Sequence, residues 1–193
     1  GVLDWFDRIN DFGEQCGVTV EHYIISSGVK EIIEGTPLKG KFKKIYASEF
    51  HYEPKGKADW PKLAVNYTGK TQFLFRINKG VLDISRNNEL NEYLPDQERR
   101  VPFSHMIYIG DGLTDVPCMK LVKLNGGKSI AVYQNRKRKQ AEQLLHDKRV
   151  DFITPANYSA ESELETIVQE IIRKIAACNV LVQRHAKQFG TVK

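Results

Sequence analysis

The chain has 193 residues, 41% of them hydrophobic and 27% charged, with a net charge of +5. That is room for one α/β domain with a sizeable core, and the composition is that of an ordinary globular protein. No apolar run reaches the roughly 18 residues that mark a membrane span, and no signal peptide is visible. The three cysteines, Cys16, Cys118 and Cys178, are far apart and lack CxxC spacing. A reducing, cytoplasmic setting is expected from that usage.

In chain order, residues 3–16 have helical spacing, with Leu3, Phe6, Ile9, Phe12 and Cys16 on one face. Residues 18–26 predict a buried strand, residues 29–34 a short helix ending at Gly35, and residues 42–47 a second strand. Residues 48–68 carry aromatics among turn formers (Phe50, Tyr52, Pro54, Gly56, Trp60, Pro61) and predict a hairpin or flap. His51, Tyr52 and Trp60 are candidates either to edge a site or to pack in a core. Helical spacing resumes from Lys70 to Asn78 with Phe73, Leu74 and Ile77. Residues 87–100 are polar and predict a connector or short surface helix. Strands are expected at 106–109, 129–133 and 150–154, and helices at 116–123 and 134–148. Ser162-Glu163-Leu164-Glu165 is a capping-box pattern that opens a long helix running to about Gln188. Strands alternating with helices predict a mostly parallel sheet with helices on both faces.

Three places carry chemistry. The first strand ends in Ser26-Ser27-Gly28, where a hydroxyl, a flexible glycine and the N–H groups of a following helix suit an anion. Lys70 opens an apolar helix, and a lysine there neutralises a phosphate or a nearby carboxylate. His105-Met106-Ile107-Tyr108-Ile109-Gly110-Asp111-Gly112-Leu113-Thr114-Asp115 is the most informative stretch. A strand ends in Gly-Asp-Gly with a second acid four residues on, so Asp111 and Asp115 are placed to hold a hard cation such as Mg²⁺. Each piece alone also has a bland reading, as cap, turn or exposed lysine. The basic run Arg136-Lys137-Arg138-Lys139 reads as a solvated helix face, with an anion-binding patch as the alternative; no aromatics are interleaved, so nucleic acid is not expected as a partner.

The order of these pieces resembles the haloacid dehalogenase superfamily of phosphohydrolases. Ser26-Ser27-Gly28 resembles its second motif, Lys70 its third, and Asp111 with Asp115 its fourth, while the aromatic hairpin is similar to that of the phosphoserine-phosphatase-like branch. The resemblance implies a Rossmann-like three-layer α/β/α core over residues 1–193. It also implies Mg²⁺ as cofactor, a small phosphorylated substrate and an aspartyl-phosphate mechanism. Ser26 and Lys70 would bind the phosphoryl group with backbone N–H groups of Ser27 and Gly28; Asp111 would ligate the metal, and Asp115 would support the metal or orient Lys70. The family's first motif, Asp-x-Asp at the end of the first, central strand, is absent from the sequence. Residues 1–193 are therefore expected to be a truncated piece, without nucleophile or helical cap and inactive alone. The strands ending at Ile25 and Ile109 would lose their shared neighbour, so that a separate segment fills the place or the two strands pair directly. The alternative is a non-catalytic domain of the same type that binds a phosphorylated ligand or a protein.

Overall fold

The computed structural model describes residues 1–191. These form a mixed α/β structure. The folded chain groups into two compact units, residues 1–20 with 154–193, and residues 21–153.

The first unit is built on two helices, α1 (Val2–Gln15) and α7 (Glu163–Thr191). Trp5, Phe6 and Ile9 of α1 are buried, as are Leu164, Val168, Ile171 and Ile172 of α7, each set at helical spacing. The capping box is half realised. The Glu165 N–H donates to Ser162 Oγ (3.3 Å), but the Glu165 carboxylate turns to Arg8 at 3.0 Å, and Arg8 also donates to the Tyr158 carbonyl (2.8 Å). A long-range guanidinium partner outcompetes the local backbone N–H, because a charged, two-pronged donor makes the stronger bond.

The second unit holds α2 (Lys30–Glu34), α3 (Lys70–Lys79), α4 (Asn87–Asn91), α5 (Val116–Leu124) and α6 (Arg138–His146). Its strands are β1 (Tyr23–Val29), β2 (Lys44–Tyr52), β3 (Ala58–Leu63), β4 (Ile107–Gly110) and β5 (Lys128–Tyr133), and β6 (Phe152–Pro155) begins at its end. The strands form two three-stranded sheets, ordered β1-β2-β3 and β4-β5-β6. β1 and β2 are parallel, β2 and β3 form an antiparallel hairpin, and β4 and β5 are parallel. β1 and β4 do not pair with each other: each is terminal in its own sheet and keeps one unpaired edge. Of the two expected outcomes for these strands, direct pairing is not the one adopted.

A single core serves both sheets. Tyr46 of β2, Phe73, Leu74 and Ile77 of α3, Tyr108 of β4, Cys118, Met119 and Val122 of α5, and Ala131 of β5 are all buried in it. Tyr46 and Phe73 stack at 4.5 Å. α3 ends at Gly80, whose φ of 80° is the left-handed conformation that closes a helix cheaply only with glycine. Beyond it, buried polar groups of α3 tie down the loop. Arg76 donates to the carbonyls of Asp83 (2.8 Å) and Ile84 (3.2 Å), and Asn78 donates to that of Val101 (2.8 Å). These bonds offset much of the cost of burial, although Arg76 Nε is left without a hydrogen-bond partner.

Most expected elements fall within a few residues of their places. The first strand does not: it starts at Tyr23 rather than Val18 and runs to Val29. The hairpin is present, but His51, Tyr52 and Trp60 are all exposed, so core packing is not their role. The basic run is not on one helix face; Asn135–Lys137 is a turn of 3-10 helix, and α6 begins at Arg138. No helix among the described residues is long and apolar enough to cross a membrane, and all three cysteines are unpaired.

Candidate functional site

The site lies at the carboxyl ends of the parallel strands, where open α/β sheets present loops and helix starts. β4 delivers Gly110 and Asp111. A turn of 3-10 helix over Leu113–Asp115 then leads into α5, with Pro117 in its first turn, where the missing N–H costs nothing. The turn folds Asp115 back over the end of β4. An added Cβ on Gly110 would lie 2.8 Å from Asp115 Cβ and 2.9 Å from its Cγ, so the strand must end in glycine for Asp115 to occupy that place.

Lys70 and Asp115 meet directly. Lys70 Nζ donates to Asp115 Oδ1 at 2.8 Å, with the two residues only 5% and 7% exposed. Tyr108 Oη donates to the same oxygen at 2.9 Å. Burial raises the Tyr108 phenol far above its usual range, and the Asp115 charge adds to this. The phenol therefore stays protonated and acts as a fixed donor. Cys118 lies beside it, its thiol pushed up to about 11 by burial, which makes it an inert packing group. The lysine is thus held by a carboxylate that is itself clamped from a second side.

Asp111 lies outside this buried trio. Its carboxylate is 75% exposed and stands 3.9 Å from Lys137 Nζ, across a small cleft also lined by Tyr133 and Gln140. Ser26, Ser27 and Gly28 bulge from the β1–β2 ladder. Ile25 pairs with Tyr46 and Val29 with Ser48, so three residues face one. Bulges of this kind re-aim side chains at the rims of sites. The Gly28 N–H donates to Ser26 Oγ at 3.0 Å, while the Ser27 carbonyl accepts from Ser48 Oγ at 3.2 Å. The expected cradle of helix N–H groups is not how the segment is built: Gly28 belongs to the strand, α2 starts only at Lys30, and the Gly28 N–H already has a partner.

Among the described residues no group of three or more His, Cys, Asp or Glu side chains converges to hold a metal ion. Asp111 and Asp115 remain, with Oδ1 of Asp115 already accepting two bonds. Two carboxylates suit Mg²⁺, which keeps several waters and takes its other oxygens from a substrate phosphate. The acidic oxygens available at this strand end are the exposed carboxylate of Asp111 and the second oxygen of Asp115.

Tyr108, an apolar strand residue by its sequence pattern, joins the site through its bond to Asp115, and Lys137 comes beside Asp111. Tyr108→Phe is expected to destabilise the protein by about 2 kcal/mol, since it removes one of two buried donors to a charged acceptor. Urea unfolding measures this, and a loss under about 0.5 kcal/mol would show the bond to be immaterial.

No family profile matches the chain. It is similar to an uncharacterized protein of Borreliella burgdorferi, 29% identical over 191 residues that cover 89% of this chain. The chain spans 65% of that protein's length. Fold and site together define a mixed α/β protein with a buried lysine–aspartate pair at the carboxyl end of a parallel strand pair.

Proposed function

We propose that the chain belongs to a Mg²⁺-dependent phosphohydrolase of the haloacid dehalogenase type, with a Rossmann-like core and a small phosphorylated substrate. The observation that carries this reading is the buried 2.8 Å pair of Lys70 and Asp115, four residues beyond Asp111 at the end of β4. A lysine is rarely sunk to 5% exposure unless its charge is wanted in place. Held by Asp115, its remaining N–H groups are aimed by the protein rather than by solvent, which suits electrostatic stabilisation of a transferring phosphoryl group. Ser26 on the β1 bulge offers a hydroxyl to a phosphoryl oxygen. Asp111, exposed and only loosely paired, and the second oxygen of Asp115 would hold Mg²⁺. That ion would neutralise phosphate charge and fix the phosphate's orientation.

The reading needs a nucleophilic aspartate that residues 1–193 do not supply, since they contain no Asp-x-Asp. The unpaired edges of β1 and β4, over one core, are where a further parallel strand would bring it. Its carboxylate would attack phosphorus in line, breaking the bond to the substrate oxygen, which would leave as the alcohol with a proton from the motif's second aspartate; water would then hydrolyse the aspartyl-phosphate to the free carboxylate and inorganic phosphate. The missing Asp-x-Asp also favours a second reading, in which the domain binds a phosphorylated ligand without turnover.

Asp111→Asn is expected to weaken Mg²⁺ binding in the presence of inorganic phosphate at least about tenfold. Isothermal titration reads this, and an unchanged affinity would remove Asp111 from the metal site. Residues 1–193 alone are expected to release no phosphate from a phosphomonoester; turnover by the chain alone would mean that a different nucleophile operates.

A further inference from the structure

Resting on the phosphate-site reading above, we infer that the loop between β5 and α6 is a second anion subsite. The substrate then carries another acidic group beside the transferring phosphoryl group. β4 and β5 are parallel neighbours, paired from Ile107↔Lys128 to Gly110↔Ala131, so the loops at their carboxyl ends lie side by side. One loop presents Asp111. The other presents four cations in succession, Arg136, Lys137, Arg138 and Lys139, all exposed. Tyr133, Lys137 and Gln140 line the cleft that opens at Asp111.

The four cations are not equally committed. Arg138 is engaged by Glu142 one turn along α6, at 2.9 Å. Lys137 reaches Asp111 at 3.9 Å, the outer limit of an ion pair, with its side chain 56% exposed. Such a pair contributes little, so it yields readily to a better partner on either side. A divalent cation on Asp111 would displace the Lys137 ammonium by like-charge repulsion and leave it over the cleft. Arg136 and Lys139 flank it with no ion pair of their own among the described contacts. Clustered charges of one sign at a cleft mouth raise the local concentration of an anion and favour the more highly charged one. A compact ammonium on a flexible stem suits a carboxylate or phosphate whose position varies with the substrate. A solvated helix face would spread these charges around α6; here they are gathered before and at its first turn, against the one acid most exposed at the site.

The test compares two probes that share a phosphate and a three-carbon chain. 3-Phosphoglycerate has a carboxylate where glycerol 3-phosphate has a hydroxymethyl group. Each is titrated by calorimetry into the full chain with Mg²⁺ present, and into the variant R136Q/K137M/K139Q, with circular dichroism confirming the fold. The wild type is expected to bind 3-phosphoglycerate about tenfold more tightly than glycerol 3-phosphate, a preference that the triple variant loses. Equal binding of both probes by the wild type, or a preference surviving in the variant, overturns the subsite and leaves the phosphate site standing. Failure of the wild type to bind either probe overturns both.

Discussion

Lys70→Met is expected to lower the stability of the residue 21–153 unit by about 3–5 kcal/mol, the usual penalty for removing one partner of a buried ion pair. The loss is large because Asp115 does not move to water with the lysine gone. It is 7% exposed and folded over Gly110, and it would keep only the Tyr108 hydroxyl as a partner. An unpaired carboxylate in that place faces the desolvation cost that Lys70 now offsets. Guanidinium unfolding measures the change. A second substitution separates charge from shape. In Lys70→Met/Asp115→Asn the carboxylate becomes a neutral amide that still accepts from Tyr108, so most of the lost stability is expected back. If the single variant unfolds within about 1 kcal/mol of wild type, the pair is not the buried, desolvated contact that its geometry describes.

Spacing along the chain shows this pair only as two separate residues; it is the family resemblance that offers Asp115 as a group to orient Lys70, and the 2.8 Å bond is that arrangement. Helical spacing of Phe73, Leu74 and Ile77 placed Lys70 at a helix start, and the Gly-Asp-Gly turn placed Asp115 after a strand. Local patterns report neighbours along the chain. They do not report that a helix start and a turn 45 residues apart meet at 2.8 Å. Tyr108 was hidden for a related reason. Inside Met106-Ile107-Tyr108-Ile109 a tyrosine reads as one more apolar strand residue, and only the back-folded turn turns its hydroxyl into a clamp. The strand period of two, which puts Tyr108 on the same side as Gly110, was the available signal. Lys137 is legible only as a member of the basic run; its link to Asp111 depends on β4 and β5 being adjacent. The start of β1 was misread because Val18 and Val20 extend the apolar alternation; Val20 instead packs beneath Gly13, where an added Cβ would come within 2.5 Å of it. The Ser26–Gly28 bulge had no sequence signal beyond its glycine, since a register shift belongs to two strands and not to one.

Gly110→Ala is expected to have the next largest effect, and it probes the same trio without touching any of its hydrogen-bonding groups. The new Cβ would meet three atoms: Met119 Cε at 2.7 Å, Asp115 Cβ at 2.8 Å and Asp115 Cγ at 2.9 Å. Met119 ends in a flexible thioether and can swing aside, although it is fully buried and must displace its neighbours. Asp115 has no such freedom. Its Cβ is fixed to the backbone at the start of α5, and its carboxylate is held from two sides by Lys70 and Tyr108. Relief therefore comes by shifting the 3-10 turn, which pulls Asp115 off one or both donors. Overpacking of this kind costs about 1–3 kcal/mol, and a strained buried ion pair adds to it. Two measurements distinguish strain from simple crowding. Unfolding gives the total loss. Repeating it in the Met119→Ala background, which clears the flexible contact but not the rigid one, is expected to return only a small part of the penalty. Full recovery there would place the clash on Met119 alone and would mean that the glycine is not what lets Asp115 reach Lys70.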